Sequence, residues 1–176
     1  MKLDLEKIQN KVPYFGSTKL DPVPNWDDEL RYLDKHPVTH SNSKAEKIRI
    51  YLTHCLWVEK NKLPKWAEEV ALDMAEVFRK NAISLIKFYG FGQESDSYPY
   101  HKDSMDVLLV QAVGTVKLKV EGTNYEDQPR LFRPGHSVWI PRGTHHQVIA
   151  SSSRLTYSYG VEGDPDPQEY IKKLDS

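Results

Sequence analysis

Several things are scarce in this 176-residue chain, and each scarcity closes a line of explanation. With Cys55 as its only cysteine, no intrachain disulfide can form, and a reducing compartment is the simple expectation. Charge of one sign is not in excess either: 24 Lys and Arg against 25 Asp and Glu leave a formal net charge of −1. Overall electrostatics thus give no ground for nucleic acid or an anionic membrane as a partner. No stretch approaches the ~20 consecutive apolar residues of a membrane-spanning helix. The opening Met1-Lys2-Leu3-Asp4-Leu5-Glu6-Lys7 lacks an apolar signal core. Repeats and low-complexity segments are missing too. A soluble, cytoplasmic protein is expected.

What is present is enough chain for one domain with a real core, together with four tryptophans and ten tyrosines, which suit β-rich packing. Residues 1–62 are polar and broken by Pro13, Pro22, Pro24 and Pro37. They read as an arm with one short helix at Asn25–Asp34, where Asn25 can cap and Trp26, Leu30 and Leu33 share a face. Ile48–Trp57 fits a strand or a buried helix equally. His36, His40 and His54 have no partners at ligand spacing and read as surface or hydrogen-bonded residues. Leu63–Lys80 is the clearest helix, with Pro64 at the first helical position and Arg79 and Lys80 in the last turn. Its stripe of Trp66, Val70, Met74, Val77 and Phe78 is a packing face.

From Ile83 the texture becomes strand, turn, strand. Ile83–Tyr89, Asp106–Val113, Val116–Val120, Ser137–Ile140, His145–Ala150 and Arg154–Val161 are rich in β-branched, aromatic and aliphatic residues. Breaks at Gly90-Phe91-Gly92, Gly114-Thr115, Pro134-Gly135 and Pro141-Arg142-Gly143 separate several of them. One helix followed by many short strands predicts a mainly β barrel or sandwich with α decoration. The tail Pro165–Leu174 is expected to add a surface helical turn or two.

Chemistry concentrates in Tyr100-His101-Lys102-Asp103 and in Pro141-Arg142-Gly143-Thr144-His145-His146. Side chains alternate along an extended segment, so His101 and Asp103 point the same way. An imidazole and a carboxylate so placed can take adjacent positions on one metal ion. A third ligand from a distant strand, His145 or His146, would complete a 2-His-1-carboxylate face and leave positions open for small molecules.

A Pro-Gly turn, a short strand, a Pro-x-Gly turn and a histidine mark the double-stranded β-helix, or cupin, barrel. Over residues 83–161 the sequence resembles the JmjC-type 2-oxoglutarate oxygenases, nearest their ribosomal-oxygenase branch. That family reads His-x-Asp, a strand ending in Gln and Gly, Pro-Gly-Asp, then Ile-Pro-Arg-Gly-Thr-x-His-Gln. The resemblance implies a jelly-roll domain at 63–176, including the flanking helix, with the 1–62 arm packed on it. It also implies Fe(II) held by His101, Asp103 and His146, with His145 structural. Nickel or zinc would substitute on purification, since affinity rises along the first-row series. The implied activity is hydroxylation, with 2-oxoglutarate as co-substrate and a protein side chain or a small molecule as substrate.

Two positions depart from the family. Val116 stands where a Lys or Arg pairs with the far carboxylate of 2-oxoglutarate, and Lys117 points to the other face. Replacement is expected from Lys87 with Tyr89, or from Arg154 with Thr156 and Ser158, whose hydroxyls could donate. Of these, Arg154 is preferred, because a guanidinium fork matches a carboxylate. His136 replaces the Asp after Pro-Gly and reads as a turn residue. Val116 keeps two alternatives in view: a metal cupin of another type, such as a dioxygenase or isomerase without an oxo acid, and a non-catalytic small-ligand barrel.

Overall fold

The structure, a computed structural model, describes residues 3–35, 53–57, 63–80, 83–91 and 97–161, without the side chains of Leu33 and of 53–57. His36, His40 and the tail Pro165–Leu174 lie outside these residues. In chain order the elements are α1 (Leu5–Gln9), β1 (Tyr14–Ser17), α2 (Trp26–Lys35), β2 (Thr53–Trp57) and α3 (Lys65–Phe78). Eight strands follow: β3 (Ser84–Gly90), β4 (His101–Lys102), β5 (Asp106–Val113), β6 (Val116–Val120), β7 (Arg130–Phe132), β8 (His136–Ile140), β9 (His145–Ala150) and β10 (Arg154–Val161).

The strands form two antiparallel sheets, ordered β1-β8-β5-β10-β3-β2 and β4-β9-β6-β7. Period-two alternation divides β1, β5 and β8 of the larger sheet between two cores. On β5, Val107 and Leu109 turn inward and join Val116, Leu118, Val120, Phe132, Val138 and Ile140 between the sheets. Leu108, Val110 and Ala112 turn outward, into a core with Leu155, Tyr157, Tyr159 and the α3 stripe. With both faces covered, β5 reads as an apolar run over Val107–Val110, followed by the buried Gln111. The architecture is the double-stranded β-helix, mainly β with helices on the outside.

Helix α3 packs through Trp66, Ala67, Val70 and Met74. Trp66 meets Tyr157 edge-on at 4.8 Å, Phe78 stacks on Trp139 at 5.0 Å, and the Tyr159 hydroxyl donates to the Ala67 carbonyl. Its ends differ from the sequence reading. Pro64 is extended and sits one position before the helix, and Arg79 caps the other end in the left-handed conformation at φ 52°. That left-handed cap leaves Arg79 and Lys80 beyond the last turn.

The arm is less irregular than its prolines suggest. Asn25 caps α2 as expected, its Oδ1 accepting the Asp28 amide at 3.0 Å. Leu30, however, is 45% exposed, and Glu29 takes the buried position instead. Ile48–Trp57 resolves as a strand over Thr53–Trp57, paired with β3. Tyr14–Ser17 forms β1, which pairs with β8.

Candidate metal centre

Strand β4 is two residues long and lies against β9, with His101 opposite His146 and Lys102 opposite His145. Directly opposed residues share a sheet face, so the two imidazoles project together. Asp103, just past β4, is held in place because its carbonyl accepts the Gly143 amide at 2.9 Å. The Asp106 carboxylate accepts the Arg142 amide at 2.7 Å, which ties the β8–β9 turn to the start of β5. Gly143 makes that turn with φ +80°, a conformation that costs glycine least.

One donor atom each from His101, Asp103 and His146 lies within 4.8 Å of the others. His101 Nε2 is 3.6 Å from Asp103 Oδ1, and His146 Nε2 is 3.5 Å from Asp103 Oδ2. These separations exceed good hydrogen bonds; the donors surround a common point rather than bond one another. The remaining ring nitrogens explain the orientation. His101 Nδ1 contacts the Pro99 carbonyl at 2.7 Å, and His146 Nδ1 contacts the Thr144 carbonyl at 3.1 Å. A carbonyl only accepts, so each Nδ1 carries the proton and each Nε2 offers a bare lone pair. Burial, foremost, lowers the pKa of His146 and favours the neutral ring that a metal requires. Two imidazole nitrogens and one carboxyl group are a donor set that fits a divalent first-row ion.

The three donors open on a pocket of about 350 Å³. Ile86, Phe88, Val107, Leu109 and Val148 supply its apolar walls, while Arg154, Thr156 and Ser158 supply a polar strip along β10. Arg154 is 3% exposed. The structure therefore gathers Arg154, Thr156 and Ser158 into one pocket with His101, Asp103 and His146.

Lys87 and Tyr89 do not reach it. Pocket-facing residues of β3 are Ile86 and Phe88, and alternation turns Lys87 and Tyr89 to the outer face. There Lys87 Nζ donates to Glu29 Oε2 at 2.9 Å and the Tyr89 hydroxyl donates to the same oxygen at 2.7 Å. The family-derived expectation for this pair is corrected by strand parity. Val116 is buried between the sheets and Lys117 is exposed. His145 faces away from the pocket, where Glu121 Oε2 accepts its backbone amide at 2.9 Å and contacts its Nδ1 at 3.0 Å, and Tyr100 stacks on its ring. His136 opens β8, its Nδ1 accepting the Arg133 amide.

Sequence reasoning missed Tyr98 and Met105, which line the pocket, and Gln111, which supports Thr156 from behind. Tyr98 lies 5.5 Å from the His101 ring and three residues before it, and that nearness in sequence was its only signal.

Fold and site together define a double-stranded β-helix with a three-residue cluster that could hold a metal ion. Solved structures share the architecture. A prolyl-4-hydroxylase from Pseudomonas putida matches at TM-score 0.63 and 11% identity, over 90% of this chain and 97% of that one. YcfD, a ribosomal oxygenase from Escherichia coli, matches at TM-score 0.59 and 17% identity, over 98% of this chain and 54% of that one. The same protein in complex with cobalt and 2-oxoglutarate also matches at TM-score 0.59. This chain thus spans about half the length of the ribosomal oxygenase. At these identities the likeness establishes the fold. No protein-family model and no curated protein matches the sequence.

Proposed function

We propose that the chain is an Fe(II)- and 2-oxoglutarate-dependent oxygenase that hydroxylates a C–H bond. The observation that carries this reading is the sharing of one largely apolar pocket by three convergent ligand atoms and a buried arginine. His101, Asp103 and His146 would hold the iron, with nickel or zinc able to replace it on purification. When bound, iron supplies the activation of dioxygen and of the oxo acid. The chain's own work is to bind, orient and keep water out. Arg154 offers a fork to the distal carboxylate, and the apolar walls strengthen that pairing by lowering the local dielectric.

A fold neighbour in complex with cobalt and 2-oxoglutarate supports this assignment. Neighbours named as a ribosomal oxygenase and a prolyl-4-hydroxylase favour a protein side chain over a free small molecule as substrate. In this reading residues 63–176 form the catalytic domain and 1–62 an arm packed on it. A single cysteine fits the cytoplasm. None of the described helices is long and apolar enough to cross a membrane.

Val116 favours one second reading, a metal cupin that uses no oxo acid. Anaerobic titration separates the two. Protein loaded with Fe(II) should develop a weak visible charge-transfer band when 2-oxoglutarate is added. Tight iron binding without that band would move the function to the second reading. Failure to bind either would leave a ligand-binding barrel.

A further inference from the structure

Gln111 and Thr156 stand opposite each other on β5 and β10, beside a register slip between Leu155 and Thr156. Gln111 is wholly buried. Its Nε2 donates to the Val113 carbonyl at 2.7 Å and to the Gly114 carbonyl at 3.3 Å. Two carbonyl oxygens can face only the NH₂ end of a carboxamide, so the orientation of Gln111 is fixed and both amide protons are used. Its Oε1 remains, and an amide oxygen only accepts. Thr156 Oγ1 lies 2.8 Å from that oxygen. A hydroxyl has one proton, and here it goes to Gln111.

Thr156 therefore turns lone pairs alone toward the pocket that it lines. Against a carboxylate those lone pairs repel; against an N–H they attract. The hydroxyl of Ser158, two residues along the same strand face, also lines the pocket and has no side-chain hydrogen bond among the described residues, so its proton stays available. The two hydroxyls look alike in sequence and differ in polarity.

We propose that Thr156 is a specificity-determining acceptor, and that Gln111 is the positioning residue that makes it one. Thr156 meets an N–H group of a bound molecule and does not donate to the oxo acid's carboxylate. This deepens the 2-oxoglutarate reading and rests on it. The expectation that Thr156 adds a hydroxyl donor to the clamp is reversed.

Zinc-loaded protein, which is diamagnetic, allows a test by proton NMR. The Thr156 hydroxyl proton, identified by its loss in Thr156→Val, should give a slowly exchanging resonance that stays in place when 2-oxoglutarate is added. In parallel, Thr156→Val should leave 2-oxoglutarate affinity within about threefold, because a donor–carboxylate bond would be worth about tenfold or more. The distal monoamide of 2-oxoglutarate should lose about two- to tenfold in the same variant, since its N–H loses an acceptor. A resonance that moves on adding 2-oxoglutarate, or a tenfold loss for the acid with the amide unaffected, would overturn the proposal. If the parent protein keeps its metal but binds no 2-oxoglutarate, the oxygenase reading fails. Its unliganded hydroxyl resonance still decides the polarity of Thr156.

Discussion

His101 and His146 are directly opposed across β4 and β9, with ring centroids 4.4 Å apart. Because β4 is only two residues long, the metal face depends on a ladder that β9 largely supplies. Replacing His146 by Ala should abolish stoichiometric metal, whereas His145→Ala, which changes the outer face of β9, should leave most of it. Metal analysis of the purified variants reads both outcomes. An empty site in His145→Ala alone would shift the ligand assignment by one residue.

Arg154 and Lys87 give opposite expectations for the co-substrate. Leaving a carboxylate unpaired in a buried pocket is costly, so Arg154→Ala should weaken 2-oxoglutarate binding by roughly 2–5 kcal/mol, about thirtyfold or more. Metal content should not change. Lys87→Ala should leave the affinity near that of the parent, since its ammonium pairs with Glu29 and its neighbours Ile86 and Phe88, not Lys87, line the pocket. Isothermal calorimetry on the metal-loaded proteins distinguishes them. Equal losses in both variants would contradict this placement of the clamp.

The Lys87–Glu29 pair should appear instead as stability. Its side chains are 2% and 9% exposed, and burial, the first cause, holds the Lys87 pKa below its usual value. Removing one partner of such a pair leaves the other buried and unpaired, at about 3–5 kcal/mol. Urea denaturation of Lys87→Met should show a loss of that order. A midpoint like that of the parent would mean that α2 is not fixed to the sheet by this contact.

His136 should contribute a pH dependence of stability. Burial first, and then Arg130 and Arg133, lower its pKa. A protonated Nδ1 could not accept the Arg133 amide, now 3.3 Å away. A group whose folded pKa is depressed binds fewer protons when folded, so its contribution is complete above about pH 6.5 and is lost as pH falls through the folded value. Urea midpoints at about pH 7.5 and about pH 5 should therefore differ less in His136→Asn than in the parent, with other titrating groups common to both. Identical differences would sink this assignment.

Much of this was legible in sequence, and the rest was hidden for physical reasons. The bounds of β5, β6, β9 and β10 followed from runs rich in β-branched, aromatic and aliphatic residues, several of them separated by glycine-containing breaks. His101 and Asp103 share a side because of a two-residue period, a local rule. Lys87 and Tyr89 were misplaced because a family position was carried over without asking which parity of β3 faces the pocket. Glu29 was invisible because the apolar spacing of Trp26, Leu30 and Leu33 marks a different side of α2, and only contact with Lys87 and Tyr89, 58 and 60 residues away, selects the glutamate. The Gln111–Thr156 bond joins residues 45 apart and depends on a register slip. No pattern within either strand encodes it.

The most direct test of the oxygenase site is a crystal structure of the protein with Mn(II) and 2-oxoglutarate. The metal should be bound by His101, Asp103 and His146 together, with the oxo acid's distal carboxylate on Arg154. A metal held elsewhere, or an oxo acid whose distal carboxylate lies away from Arg154, would contradict it.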